Sequence, residues 1–201
     1  MSVSSRRRVA VAAAVAATVW AAVVTLVGAA VTPGYSHVAH YISELGANGA
    51  PAGLWVSRAG FLPIGVTAFA ALIASGGGRP VLRAARFCLM ALPLAYLVAA
   101  FARCDAGCAG MSATQALHNF FGLLEYLGGA VALICAAVFC VSDRRRGTGV
   151  ILLVLAGTVL CCLGAFGTPV QGAAQRLAEA ILFGFLVFLA VETSRPATAR
   201  P

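Results

Sequence analysis

The chain has 201 residues, 61% of them hydrophobic and 10% charged, with a mean hydropathy of +0.95. Soluble domains carry roughly a quarter charged residues, so this composition excludes a soluble fold. The net charge of +8 comes from arginine, with no lysine in the chain; the arginines flank apolar runs, where they read as topology signals and headgroup anchors and not as a surface for nucleic acid.

Arg6, Arg7 and Arg8 precede an apolar run from about 9 to 31, roughly 34 Å of helix and enough to cross a hydrocarbon core. A cleaved signal peptide is the rival reading, but apolar regions of that kind run only about 7 to 15 residues. The second span covers about 54 to 75, with Pro63 as an expected kink, and stops at the breakers Gly76 to Pro80. The third, about 87 to 102, is short and holds Pro93. The fourth runs from about 116 to 141, with Ser112 and Gln115 at capping-box spacing ahead of it. Spans five and six cover about 148 to 167 and 173 to 191. The expected fold is therefore all-α, a single transmembrane domain of six helices over residues 1–201.

Eleven arginines fall on one side of these spans, namely Arg6 to Arg8, Arg79, Arg83, Arg86, Arg144 to Arg146, Arg195 and Arg200. Only Arg58, Arg103 and Arg176 fall on the other. The positive-inside bias places both termini in the cytoplasm of a multi-pass cell-membrane protein. The loops at 32–53, 103–115 and 168–172 then face outward.

Most of the unusual chemistry lies on that outer side. His37, His40 and Glu44 follow spacings of three and four, which predicts a short amphipathic helix in the first outer loop with Gly46 as its stop. Such a helix is an interfacial anchor, or its histidines are metal ligands or proton carriers. Arg103, Cys104, Asp105 and Cys108 cluster after the third span. In an oxidising compartment Cys104 and Cys108 can pair, shaping the turn and aiming Asp105, although free thiols or metal ligation are the alternatives. Cys88, Cys135, Cys140, Cys161 and Cys162 lie in apolar spans and are expected to be buried packing residues.

His118, Gly122, Glu125 and Gly129 share one face of the fourth span, with the glycines expected to admit a neighbouring helix. Glu125 lies about two turns inside the membrane, so it must face the bundle interior, find a partner or stay protonated. That makes it a site candidate, with a purely structural interhelical hydrogen bond as the alternative. Arg176 and Glu179 on the sixth span lie at similar depth, and Arg176 could neutralise either carboxylate.

The segments Tyr41 to Pro51 (YISELGANGAP), Cys104 to Cys108 (CDAGC) and His118 to Gly128 (HNFFGLLEYLG), in this order among six spans, resemble the family called domain of unknown function 998. The resemblance covers nearly the whole chain. It implies a six-helix bundle and no particular reaction, and its motif residues map onto Ser43, Glu44, Gly46, Cys104, Asp105, Cys108, His118, Asn119 and Glu125. A more distant similarity is to membrane hydrolases of the alkaline ceramidase and adiponectin-receptor type, which hold zinc through three histidines with a serine and an aspartate nearby. This chain lacks their histidine pair in the last helix and has one helix fewer.

Three functions follow as expectations. The first is an outward-opening pocket that binds a lipid headgroup or small molecule, formed by Glu44, Asp105, His118, Asn119, Glu125, Arg176 and Glu179. The second is a zinc-assisted hydrolase with His37, His40 and His118 as ligands and Glu125, Asp105 and Ser43 as candidate catalytic groups. The third is a proton-coupled transporter using Glu125 as carrier. The bilayer is the one partner the sequence specifies, and nothing in it sets an oligomeric state.

Overall fold

A computed structural model describes residues 3–76 and 79–193. Among them are six helices long and apolar enough to cross a membrane: α1 (Val3–Ala30), α2 (Gly53–Ala74), α3 (Pro80–Phe101), α4 (Ala113–Ser142), α5 (Arg146–Gly164) and α6 (Gln171–Thr193). No strand occurs among the described residues. Each helix packs on its neighbours in sequence, and α6 closes against α1 to complete a ring. The expected all-α multi-pass membrane bundle is thus observed. Arg195 and Arg200, counted in the charge bias, lie outside the described residues, as do Gly77 and Gly78 of the breaker cluster.

Two prolines set the irregularities. Pro63 has no N–H to offer the carbonyl four residues back and its ring crowds that carbonyl. The chain responds with a π-helical stretch, Val56–Phe61, before α-geometry resumes at Leu62. The Ala59 carbonyl, four residues before Pro63, accepts from the Trp20 indole N–H of α1 at 3.0 Å. Pro93 acts likewise on α3, which breaks at Met90 between Pro80–Leu89 and Ala91–Phe101. The third span is consequently longer than expected and begins at Pro80, because its first half is amphipathic and carries Arg83 and Arg86. Gly128 of α4 seats against this break. A β-carbon there would lie 2.8 Å from the Cys88 carbonyl oxygen and 2.9 Å from Ala91.

The arginine-rich ends gather at one end of the ring. Arg79 pairs with Asp143 at 3.1 Å, and Arg145 with the buried Glu192 at 2.7 Å. Arg86 donates to the Ser75 carbonyl at 2.6 Å. The centre between this end and the carboxyl groups described below is filled by Leu133, Leu182, Leu186 and Leu189. Of the five cysteines expected to be buried, Cys140 and Cys162 are, Cys88 and Cys135 are half-buried, and Cys161 is exposed on the outer surface of α5.

The glycines of α4 differ in role. Gly129 admits Leu182 of α6, whereas a β-carbon on Gly122 would meet nothing within 4 Å. Gly122 therefore borders open space instead of admitting a helix. Replacing Gly128 by alanine should lower stability by about 1–3 kcal/mol through overpacking against backbone. The same change at Gly122 should be neutral or stabilising by up to about 1 kcal/mol. Thermal unfolding in detergent checks both.

Candidate ligand pocket at one end of the bundle

The first outer loop does not form a single amphipathic helix. Residues 37–40 are turns, and a five-residue 3-10 helix, Ile42–Gly46, follows. Its end at Gly46 agrees with expectation, but Ile42, Leu45 and Gly46 are buried, so it sits on the bundle and His37 and His40 precede it. Ser57 Oγ donates to the Gly46 carbonyl at 3.0 Å and Arg103 Nε to the same oxygen at 2.8 Å. Arg103 also donates to the Ala47 carbonyl, while Asn48 N–H donates to the Cys104 carbonyl at 2.8 Å.

The first turn of α6 clamps the same loop. Gly172 approaches the backbone of Val38 and His40 so closely that a β-carbon would fall 2.3 Å from the His40 carbonyl oxygen. Arg176 donates to that carbonyl at 3.0 Å, to His37 Nδ1 at 3.2 Å and to the Tyr35 hydroxyl. The expected pairing of Arg176 with Glu125 or Glu179 is absent, because the His40 and Gly172 carbonyls, an imidazole and a phenol take its donors. Burial pushes the Tyr35 phenol above its ordinary pKa, against the pull of the Arg176 charge, so it remains a donor to the Tyr41 carbonyl at 2.9 Å.

Beneath this loop lies a cavity of about 280 Å³. Tyr41, Ile42 and Ser43 roof it; His118, Asn119, Gly122, Glu125 and Tyr126 of α4 form one wall, and Tyr96, Gln175 and Glu179 close the far side. Asn119 and Leu123, both exposed and both lining it, mark its opening beside α4. A directed set of hydrogen bonds crosses this space. Ile42 N–H donates to Gln175 Oε1 at 2.6 Å, which leaves the Gln175 amide nitrogen to donate to the Tyr126 hydroxyl at 3.2 Å. Tyr126 then donates to Glu179 Oε1 at 2.8 Å, and Tyr96 donates to Glu179 Oε2 at 3.1 Å.

Glu125 completes the set. Its carboxyl lies within hydrogen-bonding reach of Glu179, and both are more than nine-tenths buried. With both Glu179 oxygens accepting from phenols, Glu125 is placed to donate a proton toward Glu179. Its other oxygen, Oε1, is buried and has no hydrogen-bond partner. A buried acceptor without a donor costs about 1–3 kcal/mol, which marks this atom as the anomaly of the site.

The remaining sequence candidates fall elsewhere. Asp105 accepts from Ser112 N–H at 3.1 Å and Ser112 Oγ at 2.8 Å, stapling the outer turn without lining the cavity. Ser112 caps α4 through Gln115 N–H at 3.1 Å, but the reciprocal half of the capping box is not made. The Gln115 side chain instead accepts from Asp105 N–H and donates to Asn119 Oδ1 at 2.7 Å. Glu44 accepts from Tyr41 N–H at 2.8 Å and holds the 3-10 helix. Cys104 and Cys108 form a disulfide, and the Ser43 hydroxyl lies 3.4 Å from Cys108 Sγ in the cavity wall.

The three histidines do not converge. His37 accepts from Arg176, His40 Nδ1 accepts from Ser36 N–H at 3.0 Å, and His118 Nδ1 donates to the Ala102 carbonyl at 3.1 Å. Only His118 lines the cavity. Among the described residues no three His, Cys, Asp or Glu side chains gather as metal ligands, so the zinc set His37, His40 and His118 is not assembled.

These features define a helical multi-pass membrane protein with a carboxyl-floored cavity at one end of its bundle. The chain belongs to the family described as protein of unknown function (DUF998), whose model matches residues 15–192. Comparison with curated proteins and with solved structures gives no match.

Tyr96, Tyr126 and Gln175 were not among the residues singled out from sequence. Gln175 precedes Glu179 by one helical turn and Tyr126 adjoins Glu125, so both had a positional signal; Tyr96 had none. Replacing Tyr126 by phenylalanine removes one donor from buried Glu179 and strands the Gln175 amide. The expected loss is about 1–3 kcal/mol in thermal unfolding, with Tyr41→Phe, near the rim, costing less.

Proposed function

We propose that the protein lies in the cell membrane with this cavity facing outward, and that the cavity binds a small molecule or lipid headgroup without chemistry on it. The observation that carries this reading is Glu125 Oε1 in the cavity wall, among the described residues the one fully buried side-chain acceptor without a hydrogen-bond partner. A ligand donor supplies what the chain itself leaves out. The outward orientation follows from the arginine-rich ends collecting at the opposite end of the ring, where the positive-inside bias assigns the cytoplasm.

A carrier role for Glu125 gains less support. From Glu179 to Glu192 along α6 is about 20 Å of helix. Among the described residues the buried side chains over that interval on α6 are apolar, including Leu182, Phe183, Phe185, Leu186 and Leu189. Among the described residues of α6 no buried polar side chain lies between Glu179 and Glu192. The zinc-hydrolase reading has no assembled ligand set to work with.

Two measurements test the proposal. On intact cells a membrane-impermeant thiol reagent should label Val170→Cys and spare Arg144→Cys; the reverse pattern overturns the orientation. Native mass spectrometry of protein extracted in mild detergent should show a retained small-molecule or lipid adduct that is lost in Glu125→Ala and His118→Ala variants whose circular dichroism shows the helical fold retained. Adduct occupancy equal to wild type in both variants places binding outside the cavity.

A further inference from the structure

Resting on that reading, we infer that the cavity selects a primary ammonium group, presented by a free amine or by an amine-bearing lipid headgroup. Four observations converge on this chemistry. A Glu179 that accepts from both phenols and from a proton on Glu125 leaves the pair with one negative charge. Among the described residues no arginine lines the cavity to offset that charge: Arg176 is held by the outer loop, Arg103 by the Gly46 and Ala47 carbonyls, and Arg58 stacks over Phe101 at 4.3 Å. A buried charge without a counter-ion calls for a cation. The walls supply the second preference, since Tyr41, Phe61, Tyr96, Tyr126 and Phe166 all border the space, and aromatic faces attract cations.

The third observation separates cation types. A quaternary ammonium satisfies charge and aromatic faces but donates no hydrogen bond, and it leaves Glu125 Oε1 as it stands. A primary ammonium brings three N–H donors, one for that oxygen. The fourth is an added acceptor. With its Nδ1–H committed to the Ala102 carbonyl, His118 in the cavity wall keeps Nε2 as an acceptor in its neutral form, and a second ammonium N–H has a partner there. A neutral alcohol meets Oε1 but leaves the charge uncompensated.

The test uses the full chain in detergent and three probes of similar length: n-butylamine, n-butanol and butyltrimethylammonium. Calorimetric titration should show butylamine binding at least tenfold tighter than the other two. Binding should fall at least tenfold in Glu179→Gln, which removes the charge, and in Gly122→Leu, whose β-carbon starts in open space at the cavity wall with nothing within 4 Å. Equal affinity for butanol or butyltrimethylammonium, or undiminished butylamine binding in Gly122→Leu, overturns the inference.

Nanodiscs of phosphatidylcholine with and without phosphatidylethanolamine separate the two sources. Ethanolamine lipid retained by wild type and lost in Gly122→Leu assigns the lipid headgroup; butylamine binding equal in both membranes assigns the free amine. If native mass spectrometry shows an adduct without an amine that still depends on Glu125, the pocket reading stands and the ammonium inference falls.

Discussion

A carboxylate held inside an apolar bundle survives only if donors surround it, and the run of hydrogen bonds onto Glu179 is the constraint around which this molecule is arranged. The run starts at a backbone N–H of the outer loop, passes through Gln175 and Tyr126, and is joined by Tyr96 and Glu125. Because one end is the backbone of Ile42, the loop has to sit down on the bundle for the interior charge to be solvated. Arg103, Ser57 and Arg176 hold it there. The outer loop is therefore part of the interior's electrostatics.

Several polar residues noted in the sequence hold this scaffold together. Asp105 staples a turn, and Glu44 and Gln115 each fix the start of a helix or the turn beside it. The disulfide between Cys104 and Cys108 shapes the same rim and brings Cys108 to the cavity wall. The groups that this scaffolding leaves facing the cavity are few, above all Glu125, His118 and the aromatic residues of its walls.

The spans were legible from sequence because hydropathy over some 20 residues reports directly on the solvent a helix must match. Arg145 with Glu192 and Arg79 with Asp143 show why their ends were less so: polar residues extend a helix past its apolar core when partners await them. The third span illustrates the point, with Arg83 and Arg86 inside a helix that apolarity alone starts at residue 87. Glu125 and Glu179 could be placed at one depth from spacing. Arg176 could not be assigned a partner, since one turn of helix separates it from Glu179 yet the His40 carbonyl, close only in three dimensions, competes for its donors. Side-chain periodicity gives depth and face; it does not give the loop that folds back over them.

Coupling between the two carboxyls is the claim on which pocket, charge and ligand chemistry all depend. A double-mutant cycle on thermal stability, with Glu125→Gln, Glu179→Gln and both together, measures it directly. The account predicts an interaction energy of about 1 kcal/mol or more, because each change alone disturbs the proton shared with the other. Costs that add to within about 0.5 kcal/mol would show that the two groups act independently and would contradict it.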